Sequence, residues 1–138
     1  MEKTIYPLPG GNQLARSGSL AGPVALSNAV RVCGGTMVFV SGQLAFDHNL
    51  QLVGKGDMRA QARQVLTNLG NALSQSGAGF QDVVRVQVFV TDLTEFRAIH
   101  EVRIEYFSPD HLPASTLVQV AGLVHPDALI EMDAVAMI

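Results

Sequence analysis

Val84-Arg85-Val86-Gln87-Val88-Phe89-Val90 alternates valine with bulkier or polar neighbours over seven positions. A period of two sends successive side chains to opposite faces, so this stretch predicts a strand with one buried face. Asp92-Leu-Thr-Glu95 follows with the spacing of a capping box, Asp standing where Ser or Thr is usual. Phe96, Ile99, Val102, Tyr106 and Phe107 then recur at helical spacing until Pro109 stops them. A strand passing straight into an amphipathic helix is the unit around which the rest arranges itself.

Working back from it, Asp57 is a candidate N-cap. Met58, Ala62, Val65, Leu66, Leu69, Ala72 and Leu73 form a 3.6-residue stripe behind it, ending at Gly77 or Gly79. Ala29–Val32 and Met37–Val40 read as a hairpin turning at Gly34-Gly35, where glycine supplies positive φ angles. Met37–Val40 is apolar at consecutive positions, so both its faces are expected to be covered. Residues 1–23 read as an irregular arm, broken by Pro7, Pro9, Gly10, Gly11, Gly18, Gly22 and Pro23. Working forward, Ser115–Ala121 and Ala128–Met137 read as closing strands. In the last, Glu131 and Asp133 share one face, while Ile130, Met132, Ala134 and Ala136 share the other.

The order β-β-α-β-α-β-β, with room for a short strand before the first helix, predicts an α+β domain. Two helices cannot cover both faces of a sheet this wide. The other face is then polar or covered by a partner, and the apolar Met37–Val40 argues for a partner. Composition agrees. The chain has 138 residues, fitting one domain, and only 15% are charged against 48% hydrophobic. Soluble domains average about 25% charged, so part of the surface is expected to be hidden by another copy.

Composition also limits function. A net charge of −3 gives no global field for nucleic acid. No apolar run approaches the roughly 18 residues of a membrane span, and the opening residues carry no secretory signal pattern. The single cysteine, Cys33, permits no intrachain disulfide and suits a reducing cytoplasm. His48, His100, His111 and His125 lack metal-ligand spacing, and the paired glycines do not form a phosphate loop.

Several stretches, in order, resemble one family. They are Leu26-Ser-Asn-Ala-Val30, Val38-Phe-Val-Ser-Gly-Gln43, Gln61 to Leu73 and Asp82 to Asp92. Tyr106-Phe107, Pro113-Ala114, Val118–Val120 and Ile130 to Ala136 complete the series. Together they resemble the Rid proteins (reactive intermediate deaminases, the YjgF-like family) across residues 24–138. The resemblance implies a chorismate-mutase-like α+β fold, with a mixed sheet and two helices on one face. It implies a homotrimer with a central barrel and small-molecule clefts between subunits. It further implies hydrolysis of reactive enamines or imines, such as 2-aminoacrylate, to a ketoacid and ammonia, without metal or organic cofactor.

One departure bears on the substrate. The active members carry an arginine after this Pro-Ala, gripping the substrate carboxylate, and here Ser115 stands there. Exchanging a guanidinium clamp for a hydroxyl forfeits about 1.5–3 kcal/mol of charge-assisted bonding. The expectation is therefore a substrate other than a simple 2-iminoacid, or weak activity. Leu26 replaces a usual aromatic residue, and His100 stands at an asparagine position.

The resemblance makes Glu131 the catalytic carboxylate, suited to proton relay beside a water; otherwise it belongs to a solvated strand face. Ser115 and Thr116 are substrate-contact candidates or plain strand residues. His100 and Arg103, three apart on one helix face, either replace the missing clamp as an anion site or face solvent. Ser41 has no neighbouring base in the sequence, which favours substrate contact over nucleophilic attack. The alternative to an enzyme is a trimer that binds a small molecule without turnover, or a remodelled pathway enzyme of the same fold.

Overall fold

A computed structural model describes residues 1–9 and 22–138. Its strands are β1 (Glu2–Tyr6), β2 (Ala29–Cys33), β3 (Met37–Gln43), β4 (Val83–Val90), β5 (Ala114–Gln119) and β6 (Ile130–Met137), and its helices are α1 (Met58–Gln75) and α2 (Phe96–Tyr106). Four strands form one mixed sheet in the order β3-β6-β4-β5; β4 and β5 run parallel and the other pairs antiparallel. Both helices lie on one face, as the element order requires.

The core explains why these residues make these elements. Val86, Val88 and Val90 of β4 and Ile130, Met132, Ala134 and Ala136 of β6 all point under the helices. Val65, Leu66, Leu69 and Leu73 of α1 and Ile99 and Val102 of α2 close on them. Asp57 caps α1 by accepting from the Ala60 N–H at 3.1 Å. The far end closes as a Schellman motif: Gly77 sits at φ +75°, with Gly77 N–H on Ser74 O and Ala78 N–H on Leu73 O. Asp92 accepts from Thr94 N–H at 2.9 Å in a short 3-10 turn, Leu93–Glu95, and α2 begins only after that turn.

Two expectations need correction. The irregular reading of residues 1–23 fails at Glu2–Tyr6, which pair antiparallel with β2. Thr4, Ile5 and Tyr6 are good strand formers, and Pro7 and Pro9 end the strand instead of excluding it. The part of that arm from 10 to 21 lies outside the described residues. The hairpin also fails as a pairing. Gly34 and Gly35 do take φ +73° and +91°, but the turn hands the chain from one sheet to another. β2 pairs with β1, whereas β3 pairs with β6. Thr36 and Ile138 exchange backbone bonds of 2.6 and 3.0 Å at that junction.

Candidate functional site

Burial of Ile130 and Met132 forces Glu131 onto the sheet face that no helix covers. There it lies opposite Phe89 of β4. On its other side β3 loses register between Val40 and Gln43. This bulge brings the backbone of Gly42 against the Glu131 side chain. A Cβ on Gly42 would overlap the carboxylate and stand 2.9 Å from its carboxyl carbon. Gly42 is thus a site residue that sequence reading missed. An isolated glycine inside a strand pattern marks a bulge or a close approach, and that was the available signal.

The two carboxylates of β6 differ sharply. Asp133 is engaged: Oδ1 accepts from Gln87 N–H at 3.2 Å. With the Gln87 amide oriented to satisfy both neighbours, it donates to Asp133 Oδ2 at 3.1 Å and accepts from Arg85 Nη2 at 2.9 Å. Glu131 makes no hydrogen bond or ion pair among the described residues, so its oxygens are available. Ser41, exposed next to Gly42, has among the described residues no hydrogen bond from its hydroxyl to a base. Thr116 lies on the same open face, paired in register with Gln87.

Beside these groups the open face also carries exposed apolar side chains. Phe39 is 72% exposed, Met37 54% and Val118 40%. Met37–Val40 was expected to be covered on both faces; Val40 is buried under the helices, whereas Phe39 stands bare. An open hollow of about 770 Å³ begins at Gly42 and Gln43 and runs past His48 and Asn68 to Gln75.

The other candidates gather behind the sheet. Ser115 pairs with the buried Val86, so its side chain faces inward. His100 and Arg103 do not face solvent; they are 1% and 0% exposed. Both grip the backbone of Ala25. His100 Nδ1 accepts from Ala25 N–H at 3.2 Å, and Arg103 Nη2 donates to Ala25 O at 2.8 Å. Two residues on, Ser27 donates its N–H to Pro113 O at 2.9 Å and bridges Ala114 beside Ser115. Burial, with the Arg103 and Arg97 charges adding to it, lowers His100 to about 3, so its imidazole is neutral. Burial lowers Arg103 to about 10, leaving it charged at neutral pH. The Phe96 ring lies 4.5 Å from that of His100, and Phe107 lies 6.0 Å from the Arg103 guanidinium. Leu26 lines a cavity of about 290 Å³ with Ile5, Pro7, Leu8, Ser27, Pro109 and Leu112.

Within one chain the candidates therefore form two groups. Ser41, Thr116 and Glu131 belong to the open face, and Leu26, His100, Arg103 and Ser115 to the opposite side. Among the described residues no helix is long and apolar enough to cross a membrane.

Comparison with known proteins agrees with this fold. The family profile described as endoribonuclease L-PSP matches residues 19–138. The 3-aminoacrylate deaminase RutC of Acinetobacter baylyi is 45% identical over 100 residues, 72% of this chain and 78% of that protein. A solved Rid family protein from Yersinia pestis, described as of unknown function, is 29% identical with a TM-score of 0.79, and 100% of each chain is covered. E. coli TdcF, solved with bound serine, is 33% identical with a TM-score of 0.68, over 78% of this chain and 84% of that one. By profile, sequence and fold alike, the chain belongs to the Rid family of YjgF-like proteins.

Proposed function

We propose that this protein hydrolyses an enamine or imine to a carbonyl compound and ammonia, as a homotrimer with its sites between subunits. The observation that carries this reading is Glu131: a carboxylate without a partner among the described residues, seated against Gly42 on a face with exposed apolar side chains. The reaction asks for one group that moves protons beside a water. An enamine first takes a proton on carbon to become an iminium. Water adds to the C=N carbon, and Glu131 accepts the proton that the water releases. Returning that proton to nitrogen makes ammonia the leaving group, and as it departs the hydroxyl proton is released to solvent while the carbonyl forms, balancing the proton first taken from solvent on carbon. The curated relative's name, 3-aminoacrylate deaminase, supports this reaction class.

A second copy on the open face accounts for the two separated groups. It would cover Met37, Phe39 and Val118 and set one subunit's Glu131 beside the Leu26 and Ser115 side of the next. Excluding water there strengthens the carboxylate's interactions. Since Ser115 offers no charge at the clamp position, the substrate is not a simple 2-iminoacid held there. The lone Cys33 supports a reducing, cytoplasmic setting.

The test is ammonia release from freshly generated enamines and imines. Activity in the wild type that falls at least 100-fold in Glu131→Gln, at unchanged thermal stability, supports the proposal. No release from any substrate refutes it. The absence of a clamp arginine at Ser115 favours one second reading, a trimer that binds a small molecule without turnover. Calorimetry would then register binding where the ammonia assay stays silent. RNA cleavage, suggested by the profile's description, has less support: Arg59 and Arg63, the exposed cations of α1, are engaged by Glu101 and Glu105.

A further inference from the structure

Val40 pairs with Ala134 and Gln43 with Met132, so β3 carries two residues where β6 carries one. Ser41 and Gly42 are the bulged pair, and Gly42 is the residue against which Glu131 lies. A bulge gives up ladder hydrogen bonds. Among the described residues β3 is also an edge of its sheet, with no strand on its other side to fix the shape. Amide side chains supply what the ladder does not. Gln43 Nε2 donates to Ser41 O at 2.9 Å, reaching back across Gly42. Asn68 of α1 donates through Nδ2 to Leu44 O and to Phe46 O, each at 2.8 Å. Gln64, one helical turn earlier, donates to Asn68 Oδ1 at 2.9 Å, which turns the Asn68 NH2 towards the two carbonyls. Between them, Ala45 O accepts from Val53 N–H at 2.9 Å.

The exit of β3 is thus pinned at Ser41, Leu44, Ala45 and Phe46, on both sides of the point that seats Glu131. The choice of amides has a chemical reason. An amide NH2 satisfies a backbone carbonyl without carrying charge. A lysine or arginine in the same place would offer Glu131 a charge-assisted bond and draw the carboxylate off its seat. Gln43, Gln64 and Asn68 all line the hollow that begins at Gly42, and none of them is hydrogen-bonded to Glu131. Their effect on the carboxylate passes through the backbone. Misplacing a reacting group by about 1 Å costs on the order of 100-fold in rate, so the shape of this bulge bears directly on turnover.

We propose that Gln43 and Asn68 are positioning residues for Glu131. Gln43 closes the bulge from within the strand, and Asn68, oriented by Gln64, ties the exit of the bulge to α1. Together they fix Gly42 and, through it, the place of the carboxylate. This assignment rests on the reading of Glu131 as the reacting group and adds what holds that group in place.

Two variants of the full chain test it. Gln43→Met keeps the length of the side chain and removes the donor; Gln43 is only half-buried, so this variant should fold. Asn68→Asp keeps the shape and turns an acceptor towards the two carbonyls. The first readout needs no turnover. The chain has five glutamates, and with 13C at Cδ the Glu131 resonance is recognised by its loss in Glu131→Gln. Gly42→Ala, which displaces the carboxylate directly, marks the direction of the shift. The expected result is movement of the Glu131 resonance in that direction in both variants, with Glu101 and Glu105 unmoved and no movement in Thr67→Val on the outer face of α1. The second readout is ammonia release. Gln43→Met should lower kcat at least tenfold with KM within twofold. Combined with Gly42→Ala it should lose less than the product of the two single losses, since both act on one bulge. Should Asn68→Asp fail to fold, Gln43→Met decides alone. An unmoved Glu131 resonance in a folded variant overturns the proposal, and so does an unchanged kcat or a fully multiplicative double variant. A shifted Glu131 resonance in a protein that releases no ammonia would sustain the positioning role and refute the proposed reaction, so the two fail separately.

Discussion

Gly42 contributes an absence: the room for one side chain, taken up by the carboxylate of Glu131. Gly42→Ala should displace that carboxylate and lower turnover at least tenfold, with a shift in thermal midpoint of only a few degrees. Assays of ammonia release and thermal unfolding on the same preparation check both halves. His100 makes a second prediction. Its folded pKa of about 3 lies below the ordinary 6.5, because burial and the neighbouring arginines disfavour the cation. The unfolded chain therefore binds a proton that the native protein refuses. Stability is complete above about pH 6.5 and drains away as pH falls towards 3. Between pH 7 and pH 5 the loss from this group is about 2 kcal/mol. Urea unfolding at those two pH values should show it, and His100→Gln should remove most of the difference. Asp92 and Glu105, held low by Thr94 and Arg63 respectively, add their losses further into acid. At this scale Glu131 was legible because alternation along β6 fixes its face. The burial of His100 and Arg103 was not, since their fate depends on Ala25, more than seventy positions away in sequence.

Among the elements, α1 does more than cover the sheet. Gln61, in the midst of its apolar stripe, is wholly buried. Its amide donates to Gly54 O at 3.1 Å and Asp127 O at 2.9 Å, and its oxygen accepts from Leu129 N–H at 2.8 Å. One side chain thereby joins the loop before α1 to the loop before β6, the strand that carries Glu131. Gln61→Leu would strand three backbone groups and should cost about 3 kcal/mol in urea unfolding, since each unsatisfied buried group costs about 1–3 kcal/mol and water relieves some of them. The helices and most strand bodies were legible because their periods are local. Strand partners were not. Gly34-Gly35 announced a turn, and the turn is there, but glycine cannot say whether the next strand folds back or joins β6. Glu2–Tyr6 was hidden by the prolines after it, and its pairing with β2 was beyond any local pattern.

For the whole molecule, the uncovered face is the decisive property. The shortage of charge and the apolar Met37–Val40 both pointed to a surface hidden by another copy, and Phe39, Met37 and Val118 lie bare on the face without helices. Sedimentation should give a trimer for the wild type, and Phe39→Glu should shift it to monomer by placing charge in the contact; a monomeric wild type would remove the shared cleft. The central claim is chemical, and ammonia release from an enamine or imine generated in the assay tests it most directly. The account predicts release by the wild type and a fall of at least 100-fold in a folded Glu131→Gln variant. Equal release by the two proteins would contradict it.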